Sequence, residues 1–208
     1  FDIQGTGYNP DPVWDGGGLT NNWSEGANWV GDAPPSAGQD ATFNATSTKD
    51  SIIDTAFTGT IRDLRVQAGY TGTIAFSRSL SARDCIQAAG SISLDSHTLS
   101  LSRDLTVSAG TFDADSGSIT VTDDFILSGG TFNAGSCSFS IADDFTISGA
   151  GVFNEGTSSV IITGGTTTID VVINETFFNL EIAPDAGVTT TVANNDTLIV
   201  TGLLALTE

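Results

Sequence analysis

The sequence predicts an all-β fold, a parallel β-helix (β-solenoid) with about 20 residues and three short strands per coil, on three observations. The first is a fixed period: Asp63, Asp84, Asp104, Asp124 and Asp144 recur at spacings of 21, 20, 20 and 20. The second is what travels with each acid. An apolar or small residue follows it (Leu64, Cys85, Leu105, Phe125, Phe145), and five residues on comes a small pair: Ala68-Gly69, Ala89-Gly90, Ala109-Gly110, Gly129-Gly130 and Gly149-Ala150. The third is alternation inside a repeat. Leu105, Val107, Phe112, Ala114, Ile119 and Val121 alternate in three runs, and Phe125, Leu127, Phe132, Ala134, Phe139 and Ile141 take the same places one period later. Period two signals strands, Gly, Ser and Asp between runs form turns, and a fixed period of this length marks a repeat architecture.

Residues 1–50 differ in kind from the repeats, holding all three tryptophans (Trp14, Trp23, Trp29) and four of the five prolines (Pro10, Pro12, Pro34, Pro35). A solenoid needs an atypical end over its first coil, and large aromatics laid on an open core suit that role. The segment reads as an N-terminal cap. The alternative is a carbohydrate platform, with Trp faces stacked on sugar rings and Asp15, Asn21, Asn22 and Asn28 bonding hydroxyls. Exposure of the rings separates the two.

Residues 51–208 read as the coils, each of which needs its neighbours to complete a core. Cys85 stands in the Leu or Phe place of its repeat and Cys137 shares the parity of Phe139 and Ile141, so both read as inward core residues, coils apart and unsuited to a disulfide. One outward column is acidic: Arg62-Asp63, Arg83-Asp84 and Arg103-Asp104 give way to Asp123-Asp124 and Asp143-Asp144. Arginine thus offsets only the early coils. The simpler reading is a solvated ridge whose Asp side chains bond nearby backbone amides in turns; the functional reading makes Asp123, Asp124, Asp143 and Asp144 a calcium site. A second column is hydroxyl: Thr98, Ser100 and Ser102 lie under Ser118, Thr120 and Thr122, then Ser138, Ser140 and Ala142. Mixed Ser and Thr interrupted by Ala142 suit lateral packing or a soluble β surface better than ice binding. At the C-terminus, Leu198, Val200, Leu203, Leu204 and Leu206 continue the coil pattern to the last residues. An uncovered last coil offers bare core and unpaired backbone, so these five are the candidate subunit interface. The chain is expected either to continue beyond them or to dock there on another subunit.

Six Lys and Arg against 25 Asp and Glu give a formal charge of -19, which argues against nucleic acid and anionic membrane surfaces as partners. No run of about 18 apolar residues exists, so no membrane insertion is expected. Gly 24, Met 0, and no charged n-region at Phe1 point to a mature secreted product, or a fragment of a longer chain, at the cell surface. Sequons at Asn22, Asn44, Asn174 and Asn195 would permit glycosylation where the cell performs it.

The Trp-x-Gly-rich stretch, Asn-Trp-Ser, Asn-Trp-Val-Gly-Asp-Ala-Pro, then Ala41-Thr42-Phe43 and repeats such as Phe125 to Phe139, resemble secreted bacterial β-helix surface proteins. These are the repeat-rich adhesins of the autotransporter and filamentous-haemagglutinin type. The likeness spans nearly the whole chain and is one of repeat style rather than of a diagnostic site. It implies a right-handed parallel β-helix and structural or adhesive display outside the cell, and it carries over no catalytic residue. A polysaccharide-degrading β-helix is the competing reading, with the Asp doublets as general acid and base. Against it, a pair repeated in every coil belongs to the repeat. The lone His97, in Ser-His-Thr, lacks the His-Gly and Arg-x-Lys surroundings of such hydrolases, and the Lys-free repeats lack the basic cluster of pectate lyases. The expectation is a non-enzymatic extracellular structural or adhesive protein, the subunit of a filament or matrix assembled head to tail, or part of a longer chain. It needs no cofactor beyond the calcium that the acidic doublets invite. A module binding surface glycans and a polysaccharide-active enzyme are the alternatives.

Overall fold

The computed structural model describes residues 10–207, and across them the chain winds as stacked parallel coils. One stack of eight strands runs through Ala41–Phe43, Asp63–Val66, the first part of Asp84–Ser93, the first part of Leu105–Asp113, Phe125–Leu127, Phe145–Ile147, Thr167–Asp170 and Thr190–Val192. A second stack follows a corner later: Ser51–Ile53, Thr73–Phe76, the ends of the two long strands, Thr131–Asn133 and Val152–Asn154. The third is a seven-stranded sheet from Leu80–Ala82 through Thr98–Leu101, Ser118–Val121, Ser138–Ile141, Ser159–Gly164 and Asn179–Pro184 to Leu204–Leu206. Helix is confined, among the described residues, to one short 3-10 turn at Gly26–Asn28, and no helix there is long and apolar enough to cross a membrane.

Pairing is in register, so like residues stack on like. Leu105, Phe125 and Phe145 are successive partners, as are Phe112, Phe132 and Phe153. Burying one inward residue per strand position fixes this register, because a one-residue slip would turn every apolar side chain outward. The result is a continuous aromatic spine: Phe132 stacks on Phe112 at 5.0 Å and on Phe153 at 5.6 Å, with planes within 12°. Cys85 lies between Leu64 and Leu105 in this core, and both cysteines are buried, free thiols pushed up to about 12 by burial.

The small pair of each repeat turns the corner between the first two stacks. Gly110 has φ +84°, and a Cβ there would lie 2.3 Å from Gly90 O of the preceding coil. The coil stack also takes in Ala41–Phe43, so the first coil starts inside the stretch that the sequence assigns to the cap.

Candidate functional site

At the N-terminal end, the three tryptophans close the core. Trp14, Trp23 and Trp29 are at most 1 % exposed, so their faces are not available to stack on a sugar, and the exposure criterion goes to the cap. Their rings meet one another and Phe43 at 5.2–5.7 Å, in edge and stacked geometries that aromatic quadrupoles favour. Each indole N–H is satisfied: Trp14 donates to Lys49 O, Trp23 to Ser51 Oγ and Trp29 to Trp23 O. Asn28, which the platform reading offered to a ligand, is fully buried and bonds Gly18 N–H and the carbonyls of Thr20 and Asn22. Lys49, the sole lysine, donates to the carbonyls of Gly16, Gly18 and Thr20 at 2.9–3.0 Å. Sequence reasoning missed Lys49. The Gly16-Gly17-Gly18 run was its signal, since bare backbone is what an ammonium can bond.

Along the corner beside the first stack lies a ladder of alternating charge. Asp11 pairs with Arg62, Arg62 with Asp40, Asp40 with Arg65, Arg65 with Asp63, Asp63 with Arg83, and Arg83 with Asp84. Arg103 continues it loosely, 3.8 Å from Asp84 and 3.5 Å from Asp104. Burial tends to raise the Asp40 carboxyl, but the bonds from Arg62 and Arg65 outweigh it and hold the group below its ordinary value. Past Asp104 the ladder has no cation, among the described residues, to continue with.

The repeated Asp has a task that differs from the turn device expected. Its Oδ1 accepts an N–H from the next coil rather than from its own turn. Asp84 takes that of Asp104, Asp104 that of Asp124, Asp124 that of Asp144, and Asp144 that of Thr168, at 2.6–3.3 Å. The column therefore ties coil to coil. Asp123 and Asp143 stand beside it, and the structure brings the four predicted acids together as two overlapping triplets. Carboxylate oxygens of Asp104, Asp123 and Asp124, and of Asp124, Asp143 and Asp144, lie within 4.8 Å of one another. Oxygen-only donor sets of this kind match the hard-cation preference of calcium. Burial first, then the neighbouring carboxylates, raise Asp124 and Asp143 above the ordinary value.

The hydroxyl columns are as aligned as the sequence placed them, with Thr98, Ser118 and Ser138 in one line and Ser100, Thr120 and Ser140 in the next. A shallow recess of about 450 Å³ opens on this face around Ser81, Ser100, Ser102 and Thr120. At the far end, Leu203, Leu204 and Leu206 are 52–71 % exposed, whereas Leu198 and Val200 pack partly against the core. Leu204 and Leu206 stand in register with Leu180 and Ile182, on the inward column of the last described coil, so all of the five but Leu203 continue or pack on the core column.

The fold defines a class: a parallel β-solenoid repeat protein. Compared with family models, curated proteins and solved structures, the chain matches none. Of the resemblance to bacterial β-helix surface proteins, the solenoid is the part that the structure bears out.

Proposed function

We propose that this chain is an extracellular structural or adhesive solenoid, the building block of a surface filament or matrix that associates head to tail. The observation that carries the reading is the Asp column. From Asp84 onward the most conspicuous polar residue of each repeat is engaged in holding the next coil, through Asp84, Asp104, Asp124 and Asp144, while Asp63 pairs with Arg65 and Arg83. A sequence organised this way invests its repeated chemistry in propagating a rod. The Asn154 amide bonding Asn133, and the Asn133 amide bonding Asp113, repeat the device on the second stack. A high acidic charge keeps such an exposed β surface soluble outside the cell.

On this reading the repeat itself accounts for Asp124 and Asp144, each of which gives one carboxylate oxygen to a backbone N–H of the next coil, and no catalytic role is needed to explain them. The test is negative-stain electron microscopy of the purified chain across a concentration series. Fibres or end-joined rods are expected; single short rods at every concentration would overturn the assembly reading.

A further inference from the structure

Residues 1–9, Phe-Asp-Ile-Gln-Gly-Thr-Gly-Tyr-Asn, lie outside the described residues, and their sequence is that of a coil. Aligned without a gap on Leu105–Asp113 and on 125–133, they place Phe1 with Leu105 and Phe125, Ile3 with Val107 and Leu127, and Tyr8 with Phe112 and Phe132. Those six partners are the inward residues of the first two strand positions of their coils, and all are fully buried. Phe1, Ile3, Gly5 and Gly7 are matched identically one coil later by Phe145, Ile147, Gly149 and Gly151, so the small corner is present too. Asn9 falls on Asp113 and Asn133, whose side chains bond from coil to coil.

The chain's own path offers this segment no place as a coil. A coil returns to the first stack through its third strand: twelve positions separate Asn133 from Phe145, where that stack resumes, but four separate Asn9 from Val13, which already pairs with Thr42 of the stack. Four positions leave no third strand. The far end has such a place. Among the described residues, Thr190–Val192, Thr197–Val200 and Leu204–Leu206 are each the last strand of their sheet, so one edge of each presents unpaired backbone groups. The inward Val192, Leu204 and Leu206 of this coil are 39–71 % exposed, and a recess of about 420 Å³ opens against Ile182, Val192 and Leu206, between the first and third faces. Val192 continues the row of Phe125, Phe145 and Ile169, so the next residue in that row belongs over this recess. The copy's own segment does not reach it. Val13 stands eight strand spacings from Thr190–Val192, about 38 Å at about 4.8 Å each, whereas nine residues fully extended span about 31 Å.

We propose that residues 1–9 of one copy add to the last described coil of a second copy as the first two strands of a further coil, with Phe1 entering the recess over Val192 and Ile3 and Tyr8 continuing the inward rows. The contact rests on the self-assembly reading above and specifies it. In strand addition of this kind, main-chain hydrogen bonds supply affinity and pockets for alternate side chains set the register. The joining segment carries a single carboxylate, Asp2, at the outward place of Thr106 and Ile126, and salt strengthens the contact by screening the repulsion between the two acidic bodies. Donor and acceptor lie at different ends, so the contact is heterologous and each copy carries the next.

Sedimentation velocity on the full chain over a concentration series tests this with a double variant, Phe1→Asp with Ile3→Asp, whose fold is checked by circular dichroism. A synthetic peptide of residues 1–9, with a scrambled peptide as control, is added to the double variant and followed by hydrogen exchange. Wild type is expected to form elongated species that grow with concentration, and the double variant to associate about tenfold or more weakly, as loss of buried apolar anchors does. The peptide, and not its scramble, should slow amide exchange in Thr190–Val192 and Leu204–Leu206. Assembly unchanged in the double variant, with no protection by the peptide, overturns this contact while leaving self-assembly standing. A wild type that stays monomeric throughout, with no protection by the peptide, overturns both.

Discussion

Asp63, Asp84, Asp104, Asp124 and Asp144 occupy one place in the coil, and their neighbours divide them into two groups. Asp63 is buried between Arg65 and Arg83, while Asp124 has only carboxylates for charged company: Asp123, Asp144 and Asp104. Burial, then these neighbours, raise Asp124, and burial, Asp144 and Asp123 raise Asp143. Burial alone would also raise Asp40 and Asp54, but Arg62 and Arg65 at the first, and Ser24 and the Ala56 N–H at the second, hold both low. The two groups act on stability with opposite sign. Folding takes up protons at Asp124 and Asp143, so the cost of their charged forms is fully present above the raised values and fades as pH falls through them. Asp40 and Asp54 contribute stability above the ordinary carboxylate value, and it is lost as pH falls through their lowered ones. Thermal midpoints should therefore climb gently from neutral toward the ordinary carboxylate range and drop below it; a steady decline from neutral downward would refute the ridge as a destabilising column. Asp143→Asn, whose side chain holds no backbone N–H, should gain roughly 0.2–1 kcal/mol in low salt, the usual range for relieving a like-charge pair. Calcium held by the two carboxylate triplets would give the same relief at neutral pH. Added calcium is expected to raise the wild-type midpoint, with Asp143→Asn losing most of that response; an equal response in both variants would dismiss the triplet.

At the scale of the element, the corner is set by contact between coils. Gly110 combines φ +84° with a Cβ position 2.3 Å from Gly90 O, whereas the space around Gly165 is open. Gly110→Ala should cost about 1–3 kcal/mol, as forced strain at a special backbone position does, and Gly165→Ala should be close to neutral. Equal denaturant midpoints for the two variants would show that the corner relaxes and that coil contact does not set it. The sequence made the Gly110 column visible through its 20-residue period, together with the inward Phe positions and both cysteines, because period and parity survive in one dimension. It did not show what the column touches, since Gly90 lies a full coil away. The same limit hid the Asp column's partners: a local turn was the expectation, and the amides prove to belong to the next coil. At the cap, three tryptophans among prolines announced an atypical end, but Lys49 lies 29–33 residues from the carbonyls it holds, and no period links them. Gln87 was equally illegible. It takes an aliphatic place between Val66 and Val107, fully buried, and its amide N–H groups hold the carbonyls of Ala89, Gly90 and Thr111 at the corner.

The whole molecule is polar along its axis in both packing and charge. Its N-terminal coils have the aromatic cap, the Lys49 staple and an unbroken ladder of ion pairs from Asp11 to Asp84. Among the described residues, its last coils have none of these. Asn174–Phe177 pairs with Thr197–Val200 in a separate two-stranded sheet, Glu175 is partly buried with its carboxyl raised by that burial, and Val172, Ile173 and Ile199 are exposed, as are Leu203, Leu204 and Leu206. In a solenoid each coil is stabilised by its two neighbours, so stability is close to a sum of coil terms and nearest-neighbour interfaces. A coil with a weak interface on one side opens first, and opening then spreads inward toward the aromatic spine at Phe112, Phe132 and Phe153. Native-state hydrogen exchange should accordingly show a gradient: amides from Asn174 onward exchange by low-energy local opening, those of Leu105–Asp113 and Phe125–Leu127 only near global unfolding. Salt should slow exchange most from Asp104 onward, where fourteen carboxylates repel without a cation. If copies join head to tail, concentration adds a second signature, because a neighbour seated on the last described coil would protect the last coils alone and leave the spine unchanged. Exchange that is uniform along the chain, and indifferent to both salt and concentration, would mean that the coils unfold as one unit and that the axial asymmetry carries no energy.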